Sequence, residues 1–225
     1  MIQFDQVCKR YPGGHDALNG VSFTLGAGEF AFLTGHSGAG KSSLLRLIML
    51  LEQPTQGQIL INGRNLGRLH RSQIPHYRRN IGVVFQNHHL LLDRSIHDNV
   101  ALPLRVSGYR ASDIARRVRA ALDKVGLLDR EHRKPLELSS GEQQRVGIAR
   151  AVVHTPRILL ADEPTGNLDP ELSMEIMKLF RDFSDIGVTV LIATHAVGLI
   201  EAMGRRQLQL RSGRLVAGSD ADAAD

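Results

Sequence analysis

Short, mostly apolar runs divide the chain and predict a buried sheet. They cover residues 30–34, 81–85, 158–161 and 188–194. Continuous apolar runs of this length are typical of strands that are buried on both faces. Polar stretches with helical spacing separate several of them, so the pattern predicts an α/β fold in which these strands run parallel.

Alternating apolar and polar positions near both ends of the chain predict antiparallel strands. Apolar side chains recur within 2–7 and 18–25, and the turn sequence Pro-Gly-Gly at 12–14 lies between them. Residues 58–63 show another short strand ending in a turn, and 207–216 are typical of a hairpin. The amino-terminal strands therefore predict a separate β subdomain.

Helical spacing dominates the middle of the chain. The apolar residues Ile114, Val118, Leu122 and Val125 recur on one helical face, and Ser112 is placed to cap that helix. A second helix is expected from about residue 140 to 154, because a proline follows at 156. These helices indicate an inserted α-helical subdomain.

The 225 residues predict one domain spanning 1–225. We expect a nucleotide-binding core with its β subdomain at 1–86 and 157–218, the helical subdomain at 87–156, and an acidic tail at 219–225. No apolar stretch approaches the ~18 residues that cross a bilayer, and we expect no signal peptide. The single cysteine, Cys8, fits a reducing cytoplasm and is predicted to be a small buried apolar residue.

The net charge of +5 raises the question of nucleic-acid binding. The basic residues cluster at 64–79 and 105–119, and no aromatic residues are interleaved so as to stack on bases. We therefore favour a solvated face, then attraction to an anionic membrane surface or to an acidic partner, over nucleic acid.

A phosphate-binding loop with the sequence GHSGAGKS directly follows the first buried run. Glycines without Cβ atoms allow backbone N–H groups to surround phosphate oxygens, and the helix that follows adds its positive dipole end. The lysine supplies charge to the β- and γ-phosphates, and the serine hydroxyl can ligate Mg²⁺. The pattern predicts nucleoside triphosphate binding by Gly35, His36, Ser37, Gly38, Ala39, Gly40, Lys41, Ser42 and Ser43.

Two acidic residues end the third buried run. Asp162 is placed to orient Mg²⁺, and Glu163 is the candidate to polarise the attacking water. His195 follows the fourth run and would lie at the same sheet edge, where it could contact the γ-phosphate. We therefore predict Lys41, Glu163 and His195 as catalytic residues.

Residues 138–144, LSSGEQQ, resemble the signature motif of ATP-binding-cassette (ABC) ATPases. The resemblance spans essentially the whole chain and implies a P-loop (RecA-like) nucleotide-binding fold that hydrolyses ATP with Mg²⁺. It implies that Tyr11 stacks on adenine, that Gln86 is catalytic and contributes to the Mg²⁺ site with Ser42 and Asp162, and that 166–169 crosses to a partner subunit. It also implies nucleotide contacts by Ser139, Gly141 and Glu142.

The family pattern further implies an ATP-dependent homodimer, in which each ATP lies between the phosphate loop of one chain and the signature motif of the other. Residues 161–169 resemble the branch that contains lipoprotein-release, macrolide-efflux and FtsE-type cell-division ATPases. The FtsE-type resemblance is the stronger, and it implies an FtsX-like integral membrane partner that holds the chain at the cytoplasmic face of the inner membrane. The partner is expected between the Gln86 loop and residues 87–107.

Two residues depart from the family pattern. Ser140 replaces a glycine of the signature motif, where a Cβ could alter the loop dihedrals or weaken ATP binding. Ala196 replaces an aspartate that is common after the switch histidine. Three alternatives stay open: a lipoprotein-release or efflux ATPase, a cassette protein that acts on DNA or ribosomes, and a scaffold that binds ATP but barely hydrolyses it.

Overall fold

The computed structural model describes residues 2–218, so the acidic tail predicted at 219–225 lies outside the described residues. A six-stranded sheet forms the centre of the fold, in the order β10-β9-β3-β8-β7-β6. Its strands β3, β6, β7, β8 and β9 are parallel, and β10 is antiparallel to β9. The strands are β3 (Phe30–Thr34), β6 (Ile81–Val84), β7 (Ile158–Asp162), β8 (Thr189–Ala193), β9 (Arg206–Arg211) and β10 (Arg214–Ala217).

A second sheet is antiparallel and has four strands in the order β2-β1-β4-β5. Phe4 and Phe23 stack across its first pair, with ring centroids 4.7 Å apart. These are the amino-terminal strands that the alternating pattern predicts. The bounds are β1 (Ile2–Arg10), β2 (Asp16–Leu25), β4 (Gln56–Ile61) and β5 (Arg64–Asn65).

Helices cover the parallel sheet, and most of the long ones come from the middle of the chain. None of the helices in residues 2–218 has the length and the apolar composition of a bilayer-spanning helix. The helices are α1 (Lys41–Ile48), α2 (Ile74–Arg78), α3 (Ile96–Val106), α4 (Ala111–Lys124), α5 (Ser140–Val152), α6 (Pro170–Asp185) and α7 (Val197–Met203).

Two apolar cores lie on opposite faces of the parallel sheet. One joins the antiparallel sheet and α1 to side chains such as Leu33 and Leu160. The other joins α3, α4, α5 and α6 to side chains such as Phe32 and Leu159. Neighbouring residues of one strand enter different cores, which explains why the central strands are apolar on both faces.

Three local predictions differ from the structure. Ser112 does not cap α4, because the helix begins one residue earlier and Arg110 is its N-cap, without a side-chain hydrogen bond. Val125 follows the last helical residue, although its side chain is buried as the spacing suggested. Cys8 is half-buried in β1 and not fully buried, and its sulfur accepts a hydrogen bond from the Gly20 N–H at 3.2 Å.

Candidate functional site

The carboxyl ends of parallel strands bring the predicted site residues to one sheet edge. Strand β3 leads into the phosphate loop, β6 leads to Gln86, β7 ends at Asp162, and β8 leads to His195. Ligands of open α/β sheets bind at this edge because loops from several strands meet there. The strand order β3-β8-β7-β6 therefore determines which loops are neighbours.

The glycines of the phosphate loop meet two different requirements. Gly35 and Gly40 have φ angles of 142° and 109°, and an added Cβ would lie 2.3 Å from the carbonyl oxygen of Leu210 and 2.4 Å from that of Ala17 respectively. Gly38 also has a positive φ, but its Cβ would meet open space. Neighbouring backbone thus excludes side chains at two positions, whereas Gly38 leaves the backbone open to a ligand.

Helix α1 begins at the lysine of the loop. The Lys41 ammonium donates to the carbonyls of Gly35 at 2.7 Å and His36 at 3.3 Å. Its side chain is only 9% exposed, and Ser42 follows on the exposed side of the same helical turn. The loop therefore holds a nearly buried cation beside free N–H groups of a helix amino terminus.

Glu163 lies between two cationic or donor groups. Its Oε1 atom is 2.8 Å from Nδ1 of His195 and 3.9 Å from Nζ of Lys41. The side chain of Glu163 is 14% exposed, whereas that of His195 is 70% exposed. Glu163 has a φ of 48°, a conformation in which a non-glycine residue is uncommon and often functional. Its N–H donates to the Ala193 carbonyl at 2.8 Å, which holds this backbone to the next strand.

These residues share a cavity of about 590 Å³, which is the size of a small-molecule site. The catalytic and metal candidates all line it, and so do most of the phosphate loop residues. Gly35 and Ala39 belong to the loop but do not line the cavity, and Ala39 is buried. The lining residues are His15, Ala17, His36, Ser37, Gly38, Gly40, Lys41, Ser42, Ser43, Gln86, Asp162, Glu163 and His195.

Tyr11 lies beside the cavity but is not among the residues that line it. Its hydroxyl is 3.1 Å from Oγ of Ser43, and the ammonium of Lys9 is 5.0 Å from its ring centroid. His15 and Ala17 line the cavity instead, and neither was predicted from the sequence. A position shortly after the predicted turn at 12–14 was the only sequence signal for them.

The signature residues lie outside this cavity. Ser139 is the N-cap of α5 and accepts from the Glu142 N–H, while Glu142 accepts from the Ser139 N–H at 2.8 Å. This capping box satisfies two helix-terminal N–H groups. The hydrogen bonds from Ser139, with help from Arg130, lower the pKa of the Glu142 carboxyl. A Cβ on Gly141 would lie 2.2 Å from Leu172 Cδ2, so this glycine permits close packing of α5 against α6.

The prediction that a Cβ at Ser140 could alter the loop dihedrals was wrong. Ser140 is the first residue of α5, is exposed, and does not have a positive φ. Serine adopts this helical conformation without strain, so the backbone does not require glycine there.

The cavity combines the groups that phosphoryl transfer to water requires. Loop N–H groups and Lys41 can stabilise phosphate charge, and Glu163 can orient a water molecule while His195 holds its carboxylate. Ser42, Gln86 and Asp162 present a hydroxyl, an amide and a carboxylate to the same space. Such oxygen ligands fit Mg²⁺, which binds through few protein ligands together with substrate phosphates.

The comparison with known families decides between the possible phosphate-binding classes. Residues 18–166 match the family model described as ABC transporter. The chain belongs to the ABC transporter family. As a member of that family it binds ATP and hydrolyses it.

ABC proteins of known name and structure are similar along nearly the whole chain. The cell division ATP-binding protein FtsE of Escherichia coli K12 is 56% identical over 97% of this chain and 98% of its own length. FtsE of Bacillus subtilis is 45% identical over 96% and 95% respectively.

Solved ABC cassettes share the fold. The dimeric structure of MJ0796, a bacterial ABC transporter cassette, matches with a TM-score of 0.86 and 34% identity over 96% of this chain and 97% of that one. A post-hydrolysis dimer of MJ0796 bound to ADP and Pi matches with a TM-score of 0.87 and 32% identity, over the same shares. The predicted ABC nucleotide-binding fold is thereby confirmed.

Proposed function

We propose that this chain is the ATP-hydrolysing subunit of a membrane complex that acts in bacterial cell division. The observation that carries the proposal is the 56% identity to an FtsE protein along nearly the whole of both chains. In this proposal ATP-driven dimer closure moves an FtsX-like membrane partner that controls cell-wall hydrolases. The partner holds the chain at the cytoplasmic face of the inner membrane, and the domain division given above is part of the proposal.

The proposed working unit is a homodimer with ATP between the subunits. Ser139, Gly141 and Glu142 do not line the cavity of their own chain, and the similar MJ0796 cassette is dimeric. A second copy would bring its exposed α5 amino terminus to the phosphates, and helix-end N–H groups would then bind the γ-phosphate. Loss of that phosphate on hydrolysis would weaken the dimer.

The predicted site residues have separate proposed roles. Lys41 and the loop bind the phosphates, Glu163 orients the water, and His195 positions Glu163. Ser42, Gln86 and Asp162 would hold Mg²⁺, which when bound would neutralise charge on the β- and γ-phosphates. Tyr11 is proposed to contact adenine, for which its position next to Ser43 is suitable.

A groove beside β6, the last strand at one end of the six-stranded sheet, is the proposed docking site of the membrane partner. It has a volume of about 530 Å³ and is lined by residues of β6, α2, α3 and α5. Leu102 and Val106 of α3 line it and are 38% and 69% exposed, which supports docking of an apolar partner segment. Phe85 and His89, on either side of the Gln86 loop, line the same groove, so a docked partner would sense that loop.

The proposal is tested by affinity purification of the Glu163→Gln variant, with ATP and Mg²⁺, from detergent-solubilised membranes of the source cell. We expect recovery of an FtsX-like membrane protein, and less of it with the Lys41→Ala variant as a control for nucleotide dependence. Recovery of a lipoprotein-release or macrolide-efflux permease in its place would show that the cell-division assignment is wrong.

The docking groove is tested separately with Val106→Glu. This variant should lose the membrane partner and keep its basal ATP hydrolysis, because Val106 does not line the nucleotide cavity. Val216→Glu is the matched control, since Val216 is 53% exposed on β10 and lies outside the groove. Equal recovery of the membrane partner with both variants would show that the partner binds outside this groove.

A further inference from the structure

A second cavity lies between the helical segment, residues 87–156, and the end of α6. The residues assigned to ATP hydrolysis do not line it. It has a volume of about 460 Å³ and shares no lining residue with the nucleotide cavity. Its walls come from α4, the carboxyl end of α5, the carboxyl end of α6, and the segments that enter β7 and β8. A molecule bound there would contact both the helical segment and the core.

The interior of this cavity is apolar. Val152, Val153 and Phe183 are at most 8% exposed and form part of its wall, and Ala121 is 6% exposed. Ile186, a residue that is 68% exposed, continues the apolar surface outward. The volume is within the usual range for small-ligand sites, which are mostly apolar with a few polar groups.

The polar groups at the rim are cationic. Arg117, Lys124 and Arg157 line the cavity, whereas no acidic residue among 2–218 does. None of the three forms an ion pair within the described part of the chain. The Nε atom of Arg117 is buried without a hydrogen-bond partner there. The ammonium of Lys124 lies 5.9 Å from the ring centroid of Phe183, at the boundary between charge and apolar wall.

We propose that this cavity binds an amphiphilic anion, namely a medium-chain fatty-acid carboxylate. The alkyl chain would occupy the space against Val152, Val153 and Phe183, where burial of apolar surface favours binding. The carboxylate would remain at the rim and accept hydrogen bonds from Arg117 and Lys124, which have no anionic partner among residues 2–218. This proposal is independent of the cell-division partner.

Isothermal titration calorimetry with decanoate, below the concentration at which it forms micelles, tests the proposal on the full chain. We expect saturable binding at one site per chain. Lys124→Glu should weaken that binding about tenfold or more, because it reverses the charge at the rim. Lys178→Glu is the matched control, since Lys178 is an exposed lysine of α6 outside the cavity.

Two variants that each add bulk to α4 test where the alkyl chain of decanoate binds. Ala120→Leu adds bulk at the cavity, whereas Ala115→Leu adds the same bulk to an exposed position of the same helix outside it. Both alanines are exposed, so both variants should fold, which circular dichroism will check. We expect only Ala120→Leu to weaken decanoate binding. Absence of saturable binding, or equal affinity of wild type, Lys124→Glu and Ala120→Leu, would overturn the proposal.

Decanol separates the contribution of the head group. It has the same alkyl chain without the charge, so we expect it to bind more weakly than decanoate and with no difference between wild type and Lys124→Glu. Equal binding of decanol and decanoate to the wild type would overturn the role of the cationic rim.

Discussion

A single carboxylate oxygen of Glu163 is held between His195 and Lys41. The 2.8 Å contact with Nδ1 of His195 and the 3.9 Å approach of Lys41 restrict where the carboxylate can point. The positive φ of Glu163 turns its backbone so that the side chain reaches this position directly after β7. Such uncommon backbone conformations persist where the surrounding structure fixes them.

Glu163→Gln should therefore stop hydrolysis without preventing ATP binding. An amide retains the shape and a hydrogen bond to His195 but is a much weaker base, so turnover should fall by roughly 10²–10⁴-fold. Phosphate release measures turnover, and titration with a fluorescent ATP analogue measures binding. Glu175→Gln, at a half-exposed acid of α6, should behave like the wild type. Unchanged turnover of Glu163→Gln would disprove its assigned role.

Lys41→Ala should lose most of the nucleotide affinity. The nearly buried ammonium donates to the Gly35 carbonyl of the loop at 2.7 Å, and hydrogen bonds to charged groups contribute roughly 1.5–3 kcal/mol. That range corresponds to about 10–100-fold in Kd for the same ATP analogue. Lys178→Ala is the control, and an equal loss in both variants would contradict a specific phosphate contact.

At the scale of elements, helix α5 contains two buried glycines with opposite packing requirements. A Cβ on Gly141 would overlap Leu172 of α6, whereas a Cβ on Gly147 would meet nothing within 4 Å. Both residues have helical backbone conformations, in which alanine is intrinsically favoured by up to about 1 kcal/mol. Packing, and not propensity, therefore distinguishes the two positions.

Gly147→Ala should raise the free energy of unfolding by about 0.5–1 kcal/mol, and Gly141→Ala should lower it. Urea denaturation of both variants measures the difference. Adding Leu172→Ala to Gly141→Ala should recover part of the loss, because it removes the overlapping methyl group. A stabilising effect of Gly141→Ala alone would show that α5 and α6 are less tightly packed than described.

At the scale of the molecule, α5 connects the loop after Gln86 to the rest of the helical segment. Nδ1 of His88 is hydrogen-bonded to Oε1 of Gln144, and the guanidinium of Arg150 donates hydrogen bonds to the carbonyls of His88 and His89. Burial lowers the pKa of Arg150. Both histidines have positive φ angles, so these side-chain contacts help to hold an uncommon loop conformation.

The stability of the whole chain should depend on pH through His154, which follows α5 and lines the partner groove. Burial lowers its pKa below the ordinary value of 6.5. At a pH between the lowered pKa of His154 in the folded chain and its ordinary pKa in the unfolded chain, the unfolded chain binds more protons. The contribution of neutral His154 to stability is therefore fully present above pH 6.5 and is lost as the pH falls through the folded-state pKa.

The measurement is the free energy of unfolding from pH 7.5 to pH 5.5, a range of about one pH unit on either side of the ordinary histidine pKa. The loss of stability on acidification should be smaller in His154→Gln than in the wild type. His132→Gln, whose side chain is 88% exposed in the wild type, is the control and should retain the wild-type loss. Identical pH profiles of wild type and His154→Gln would contradict the effect of burial.

Most strands and most of the nucleotide cavity could be predicted from the sequence, whereas helices such as α2, α6 and α7 were not predicted. Apolar runs identified β3, β6, β7 and β8, because strands buried on both faces need apolar residues throughout. The phosphate loop and the residues after β7 and β8 were predictable because parallel strands place their carboxyl ends at one edge. Helix bounds were predicted less accurately, as Ser112 shows, since α4 begins at Ala111 and its N-cap Arg110 makes no side-chain hydrogen bond.

The neighbours of residues that are distant in sequence follow from the folded structure. The fold places His15 and Ala17 in the nucleotide cavity. It also packs Gly141 against Leu172 and brings His88 within hydrogen-bond distance of Gln144 of α5. The fold also forms the cavity beside Arg117 from three separate stretches of the chain, 117–124, 152–157 and 183–188. Local periodicity specifies the face of an element, but contacts across long separations depend on how the elements pack, and no local pattern records that.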